Sequence, residues 1–286
     1  RRRWLGLYGS ARIRKPAPAD RERCCGALLP ANGRLHDWQV EFLAACCAEA
    51  MGVAFIVLYG CGSVCSALYA GTQPHIFGIA ATWGFGVGIA IYATASISGA
   101  HLNPAVSLAF AVYRRREFPW WKLPWYVLFQ MLGGMAGGAI NYGIWHKAIA
   151  RFERTVGLVR GAPGSELSAS AFGEYFPNPG LVAYDLSDPT SLLDPPSTKF
   201  HSPDEVTVVD ALLVEAWGTL LLMFVILAVT HPKAAVLGDC KALAPCVIAS
   251  VIVCNLVVYA PITQAGWNPA RDFGPRLVSY FAGWGR

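Results

Sequence analysis

The sequence contains little charge. Only 14% of its 286 residues are Asp, Glu, Lys or Arg, whereas soluble domains contain about 25%. Four long stretches contain none of these residues: 50–75, 76–100, 123–145 and 242–270. Each is long enough to cross a bilayer as a helix. With 55% hydrophobic residues, the composition excludes a disordered chain and argues against a soluble domain. A secretory signal does not explain the pattern, because apolar segments recur along the whole chain.

Patterns typical of enzymes are also missing from the sequence. The six His are scattered, no HExxH motif or His/Cys cluster occurs, and no Gly-rich phosphate loop follows a strand. The nine Cys have no metal-ligand spacing and lie mostly inside apolar runs, which is typical of small core residues. We therefore expect neither catalysis nor a bound metal or cofactor. The net charge of +5 predicts no nucleic-acid partner.

Five apolar segments are long enough to span a membrane. Backbone groups in lipid must be hydrogen-bonded internally, and continuous apolarity favours helices over barrel strands. The predicted spans are 39–60, 76–98, 121–145, 209–230 and 242–262. Two shorter apolar segments, 104–112 and 269–282, cannot cross. Each follows an Asn-Pro-Ala, in which Pro suits the first turn of a helix, so we predict two half-helices.

The charges of the loops predict an orientation. Residues 1–38 carry nine Lys or Arg against three acidic residues, and residues 113–122 carry four against one. Residues 147–210 reverse this balance, with nine acidic and five basic residues. The positive-inside rule therefore predicts a cytoplasmic N-terminal tail at 1–38, a membrane domain at 39–286 and an external loop at 147–208. Within that loop, residues 184–205 are rich in Asp, Pro and Ser and receive no role.

The decisive feature of the sequence is an internal repeat. Glu49-Ala50-Met51-Gly52 matches Glu215-Ala216-Trp217-Gly218, and Asn103-Pro104-Ala105 matches Asn268-Pro269-Ala270, at intervals of 54 and 53 residues. Because three spans separate the copies, they enter the membrane from opposite sides, as in inverted-repeat transporters and channels. The same spacing would end the last span of the second copy at about position 310. We therefore expect this sequence to be a fragment that lacks a sixth span.

Two segments carry a family resemblance: residues 98–106 (SGAHLNPAV) and residues 268–276 (NPARDFGPR). From about residue 39 to its end the chain resembles the major intrinsic protein family, the aquaporins and aquaglyceroporins. The resemblance implies an all-α membrane protein, with an inverted repeat of transmembrane helices and two half-helices. It also implies a homotetramer with one pore per subunit. The expected location is the plasma membrane, with an internal membrane as the alternative.

The paired Asn-Pro-Ala motifs predict the chemistry of the pore. Each half-helix presents its positive N-terminal end to the membrane midplane, which raises the energy of any cation there. Asn103 and Asn268 can hold side-chain amides toward the lumen as donors, so that a passing hydroxyl must offer its oxygen. Pore width, lining donors and such electrostatic barriers are the established explanation of aquaporin-type selectivity.

The resemblance also implies an outer constriction. Arg271 follows the second motif directly, and in the family this position donates hydrogen bonds to the permeating solute. Three further positions carry over by counting from the motifs: Trp83, Leu256 and Ala265. For Leu256, a shift of one residue would instead place Asn255 or Val257 there. An apolar wall opposite one donor suits a small polyol, whose carbon edge lies on Trp83 and whose hydroxyls bind Arg271.

Other residues predict the branch and the support of the loops. Asp272 and Arg276 resemble the glycerol-facilitator branch. Single acids inside apolar helices are costly unless they are hydrogen-bonded, and in the family such glutamates bond the loops ahead of the half-helices. The expected support residues are Glu49, Glu215, Gln130 and His101. For His101 the alternative is a pH sensor.

The sequence thus predicts a passive channel for glycerol and similar small uncharged solutes, with water as a lesser permeant and the lipid bilayer as its surroundings. Two alternatives stay open at this point: a water-selective aquaporin, and a non-conducting truncated family member. A coupled transporter shares the inverted repeat. It would need more intramembrane charges to bind its ion than Glu49, Glu215 and Arg271.

Overall fold

The computed structural model describes residues 37–72, 75–181, 205–231 and 240–285. Every regular element in these ranges is helical, which confirms the all-α prediction. The α-helices are α1 (Asp37–Ala70), α2 (Ile76–Ser98), α3 (Pro104–Tyr113), α4 (Leu123–Val156), α5 (Glu166–Ala169), α6 (Val208–Val229), α7 (Ala244–Thr263) and α8 (Pro269–Ser279). Two predicted segments lie largely outside the described residues, namely the basic tail and the Asp-, Pro- and Ser-rich stretch.

Four helices in the described ranges are long and apolar enough to cross a membrane: α1, α2, α6 and α7. They coincide with four of the five predicted spans. The fifth predicted span, 121–145, falls on α4, which is 34 residues long but is not among these four. The reason is that α4 carries glycines and two buried polar side chains, Gln130 and Asn141.

Helix α4 also continues beyond its predicted span. It runs to Val156 and ends at Gly157, whose φ of +71° is left-handed and therefore favours glycine. In its last turns Ile149 is fully buried in a cluster with Phe172. The helix therefore continues into the segment that is predicted to be an external loop, because buried contacts rather than apolarity extend it.

The glycines of α4 allow two close helix approaches. A Cβ atom at Gly133 would overlap the backbone of Ala50 on α1, and one at Gly134 would overlap the carbonyl oxygen of Ala270 on α8. Small residues permit such backbone contact inside membranes. Helix α4 thus packs between α1 and α8 and fixes the first half of the chain against the second half-helix.

The repeat of the sequence is also a repeat of structure. Helices α1, α2 and α3 correspond to α6, α7 and α8, and α2 packs against α7 across the centre. The two predicted half-helices are present as α3 and α8, each beginning at the Pro of an Asn-Pro-Ala. One hydrophobic cluster contains residues of both halves, including Val53, Trp83, Leu222 and Ile252.

Candidate functional site

Each half-helix is capped by the Asn of its own motif. The side-chain oxygen of Asn103 accepts a hydrogen bond from the backbone N–H of Ala105 at 2.8 Å. That of Asn268 accepts from the N–H groups of Ala270 at 3.1 Å and Arg271 at 3.3 Å. Asn is a preferred N-cap because its oxygen satisfies N–H groups that have no partner within the helix. The motif therefore fixes where each half-helix begins.

The same two Asn side chains join the half-helices to each other. The Asn103 amide nitrogen donates to the carbonyl oxygen of Trp267 at 2.7 Å, and that of Asn268 donates to the carbonyl of Leu102 at 2.8 Å. Both Asn also line one cavity. An amide nitrogen carries two N–H donors, so each side chain can serve the opposite loop and still present a donor to the cavity.

Glu49 supports the loop ahead of α3. It is fully buried, and its carboxylate accepts hydrogen bonds from the backbone N–H groups of His101 at 3.0 Å and Leu102 at 2.6 Å. The Ser98 hydroxyl and the Gln130 amide also donate to it, at 2.6 Å and 2.7 Å. A buried charge is tolerated only with such partners.

Glu215 has the corresponding position in the second half. Its carboxylate accepts hydrogen bonds from the N–H groups of Gly266 at 3.1 Å and Trp267 at 2.8 Å, and from the hydroxyl of Thr263. Ser98 and Thr263 are equivalent as well, since each also accepts from the backbone two residues later. The repeat extends to individual hydrogen bonds.

His101 is buried in a cluster of aromatic rings. Its ring lies 4.5 Å from those of Phe110 and Phe118, measured between centroids. Its Nδ1 is 3.2 Å from the hydroxyl oxygen of Ser107, which in turn accepts from Gln130 at 3.0 Å. His101 and Gln130 therefore belong to one buried network beneath α3.

The loops ahead of the half-helices adopt an unusual backbone conformation. Ala100, Leu102, Ala265 and Trp267 all have positive φ, between 47° and 64°. This left-handed region costs roughly 1–3 kcal/mol for a residue with a side chain and persists only where surrounding contacts impose it. The bonds to Glu49 and Glu215 supply those contacts, because they fix the N–H groups of these loops.

All four predicted constriction residues line the same cavity: Trp83, Leu256, Ala265 and Arg271. For the uncertain position on α7, Leu256 is 4% exposed and lines the cavity. Its neighbour Asn255 instead donates to the carbonyl of Gly218 at 3.3 Å, and Val257 is 36% exposed. The cavity volume is about 80 Å³. Since one water needs about 10–15 Å³ of such volume, the cavity can hold several water molecules.

Arg271 is anchored on several sides. Its Nη2 donates to the carbonyl oxygens of Ala265 at 2.6 Å and Gln264 at 3.3 Å, and it forms an ion pair with Glu174. The guanidinium carbon lies 4.3 Å from the ring centroid of Trp83, which is the geometry of a cation–π contact. Trp83 therefore adjoins Arg271, whereas the sequence analysis placed it on the opposite wall.

Asp272 and Arg276 hold the loop between α5 and α6 close to the constriction. Asp272 accepts hydrogen bonds from the backbone N–H of Glu174 and from the Arg276 guanidinium, both at 2.8 Å. Arg276 also donates to the carbonyl of Glu174 and lies over the ring of Tyr175 at 5.1 Å. The two predicted branch residues thus dock residues 173–175 onto α8.

Two kinds of residue at this site were not singled out by the sequence analysis. Glu174 belongs to no recognisable motif, and nothing in the sequence indicates its pairing with Arg271.

Gly52 and Gly218 did carry a signal in the sequence, because each follows its repeat glutamate by three positions. A Cβ at Gly52 would overlap Leu102, and one at Gly218 would overlap Trp267. These glycines make room for the residue before each motif Asn.

A helical membrane protein whose two capped half-helices meet beside a cavity has the architecture of an inverted-repeat membrane channel. The chain belongs to a family described as Major intrinsic protein, whose sequence model matches residues 37–284. This match confirms the family resemblance of the two Asn-Pro-Ala segments.

Individual relatives define the branch. The chain is 35% identical over 240 residues to the glycerol uptake facilitator protein of Pseudomonas aeruginosa, covering 84% of this chain and 75% of the relative. It is 34% identical to that of Escherichia coli, with the same coverage. It is 32% identical to the propanediol uptake facilitator of Salmonella typhimurium, covering 85% and 80%. The aquaglyceroporin structure from Plasmodium falciparum superposes with a TM-score of 0.64, at 22% identity, covering 84% of this chain and 82% of that one. This last likeness shows the fold.

Proposed function

We propose that the protein is a passive, gradient-driven channel for glycerol and similar small uncharged solutes, with water as a second permeant. The observation that carries this proposal is the cavity wall in which the Arg271 donors adjoin the Trp83 ring. The names of the relatives, which are glycerol and propanediol uptake facilitators, support it.

A polyol has a carbon edge and a hydroxyl edge, and the constriction offers a surface for each. The hydroxyls accept hydrogen bonds from Arg271, while the carbons lie against Trp83 and Leu256. Ala265, which has the smallest side chain of the four, leaves the width that a chain of carbons needs. A channel selective for water would need a narrower and more polar ring.

The meeting point of the half-helices is the barrier to ions. The helix termini at Asn103 and Asn268 each present a partial positive charge, and the two amides donate to the oxygen of the passing molecule. The oxygens of water and hydroxyl groups therefore point toward this meeting point from both sides, so their O–H dipoles are opposed across it, which hinders proton transfer along the file.

The remaining site residues have supporting roles in this proposal. Glu49 and Glu215 stabilise the loops that precede the two half-helices. Gln130 and His101 stabilise α3 through their contacts with Ser107. The packing of His101 among aromatic rings supports this role over that of a pH sensor. Asp272 and Arg276 dock the loop that carries Glu174.

The proposed setting is an integral, multi-pass position in the plasma membrane, with the N-terminus in the cytoplasm and an internal membrane as the alternative. The excess of Lys and Arg in residues 1–38 and 113–122 supports this orientation. We further propose a homotetramer with one pore per subunit. Large apolar side chains on α6 are exposed, including Leu212 and Phe224 at 67% and 68%, and they suit contact with lipid or a neighbouring subunit.

Flux measurements on purified protein in proteoliposomes test this proposal. Under an outward osmotic gradient, the protein should accelerate both glycerol and water movement relative to empty vesicles. The rate of glycerol entry should approach saturation only at high glycerol concentration. It should not depend on an ion gradient, because the transport is passive. Accelerated water movement without glycerol movement would contradict the polyol proposal and favour a water-selective channel.

A further inference from the structure

Glu174 is a largely buried acid at the constriction, and the proposed path of the solute gives it no role. It lies in the loop between α5 and α6, and its side chain is 12% exposed. The backbone on either side is fixed: the N–H of Glu174 donates to Asp272 at 2.8 Å, and that of Tyr175 donates to the side chain of Gln264 at 2.8 Å. The carboxylate is therefore held in place beside Arg271.

The carboxylate changes what Arg271 can offer to a solute. Nη2 of Arg271 donates to two carbonyl oxygens, and the same nitrogen forms the ion pair with Glu174. Within the described residues, Nη1 and Nε of Arg271 have no hydrogen-bond acceptor, so they are the donors left for the lumen. An ionised Glu174 weakens those remaining donors, because its negative charge beside the guanidinium lowers the positive potential that they present to the lumen.

The charged and titratable groups around Glu174 come from three helices. Arg271, Asp272 and Arg276 face it from α8, Glu215 from α6 and Cys61 from α1. A Cβ atom at Gly266 would overlap both the Glu174 and the Glu215 carboxylates, so the two acids approach each other across this glycine. The nearby like charge of Glu215 disfavours ionisation of Glu174.

Ionisation of Glu174 is shifted toward higher pH than that of an exposed glutamate. Burial raises the pKa of Glu174 well above the usual range for a glutamate, and the positive charge of Arg271 opposes this shift without cancelling it. A carboxyl group with a raised pKa takes up its proton at a higher pH than an ordinary glutamate does.

We propose that Glu174 is a positioning and specificity-determining residue, whose carboxylate sets how tightly Arg271 binds a permeating hydroxyl group and makes the flux depend on pH. The ionised form keeps binding at the constriction weak, so that the solute leaves quickly. The protonated form returns the full guanidinium charge to the lumen, so that the solute binds more tightly and leaves more slowly. Conduction needs binding that is strong enough for entry and weak enough for exit.

This inference rests on the proposed channel function, and proteoliposome flux tests both at once. Glycerol flux is measured with the same pH on both sides of the vesicle, from about pH 5 to about pH 8. Wild type is compared with Glu174→Gln, which removes the charge at equal size, and with Glu174→Asp, which keeps a carboxylate. Glu166→Gln is the matched control, because it makes the same change at an exposed position on α5, shortly before that loop.

Wild-type flux should fall about fivefold toward acid, the size expected from one net hydrogen bond. Glu174→Gln should show the low flux at every pH, Glu174→Asp should retain the pH dependence, and Glu166→Gln should behave as wild type. Wild-type flux that does not change with pH would overturn the role of Glu174 while leaving the channel function intact. This measurement uses the wild-type protein alone, so it does not depend on whether a variant folds. Parallel pH profiles of wild type and Glu174→Gln would overturn it as well. Absence of glycerol flux at every pH would overturn the channel function and this inference together.

Discussion

Arg271 is buried, charged and held by partners from three parts of the chain. It is 7% exposed, and its charge is balanced by Glu174 and by the Trp83 ring. A charge in such a position is expensive and is retained where it lines a path for a solute. Removing it alone leaves the Glu174 carboxylate buried and unpaired at the constriction.

We therefore expect Arg271→Ala to admit cations and protons. The positive charge that repels them is lost, and the remaining carboxylate attracts them, so the leak should rise by at least about tenfold. A pH-sensitive dye inside proteoliposomes measures the proton leak. Arg151→Ala, at an exposed arginine on α4, should leave it unchanged. If the proton leak of Arg271→Ala equalled that of wild type, the half-helix ends at the membrane midplane would be sufficient to exclude ions without Arg271.

The residues of the repeated motifs can be predicted from the sequence. Their hydrogen-bond and ion-pair partners can be predicted only in part. Asn103, Asn268, Glu49 and Glu215 stand at repeated intervals, and their pairing follows from the repeat. Glu174 has no counterpart in the repeat. Its contact with Arg271 depends on how the loop after α4 folds, and no local pattern encodes this.

Helix α4 joins the two halves of the molecule through its glycines. Gly134 approaches the carbonyl oxygen of Ala270, which belongs to the second motif. Hydropathy predicts the position of this helix, but not its extent or its tilt between α1 and α8. Those depend on side-chain volume at the contacts and on the cluster around Ile149, which hydropathy does not report.

Gly134→Ala should therefore destabilise the protein and disturb the pore. Its Cβ would overlap backbone that cannot rotate away, and overpacking of this kind costs about 1–3 kcal/mol. Gly143→Ala is the matched control on the same helix, because no atom lies within 4 Å of its added Cβ. Alanine there should be neutral or stabilising by up to about 1 kcal/mol. Thermal unfolding in detergent measures both, and equal unfolding temperatures would contradict the close approach of α4 and α8.

At the scale of the whole molecule, the two halves build one cavity between them. Trp83 comes from α2, Leu256 from α7, and Ala265 and Arg271 from the second motif region. The sequence predicts which residues meet, because the repeat and the family resemblance fix their positions. It does not predict that Trp83 and Arg271 touch, since that depends on the side-chain arrangement set by Gly60, where a Cβ would overlap the Trp83 ring.

The most direct test of the account is whether solute passes the side chain at position 256. Leu256→Trp should fill the lumen and abolish glycerol flux in proteoliposomes, because Leu256 lines the cavity. Val257→Trp places the same ring at the next residue of α7, which is 36% exposed, and should leave the flux near that of wild type. Glycerol flux that is lost in the Leu256 variant alone is the predicted result. Flux that survives Leu256→Trp in correctly folded protein, or that is lost equally in both variants, would contradict a solute path between Leu256 and Arg271.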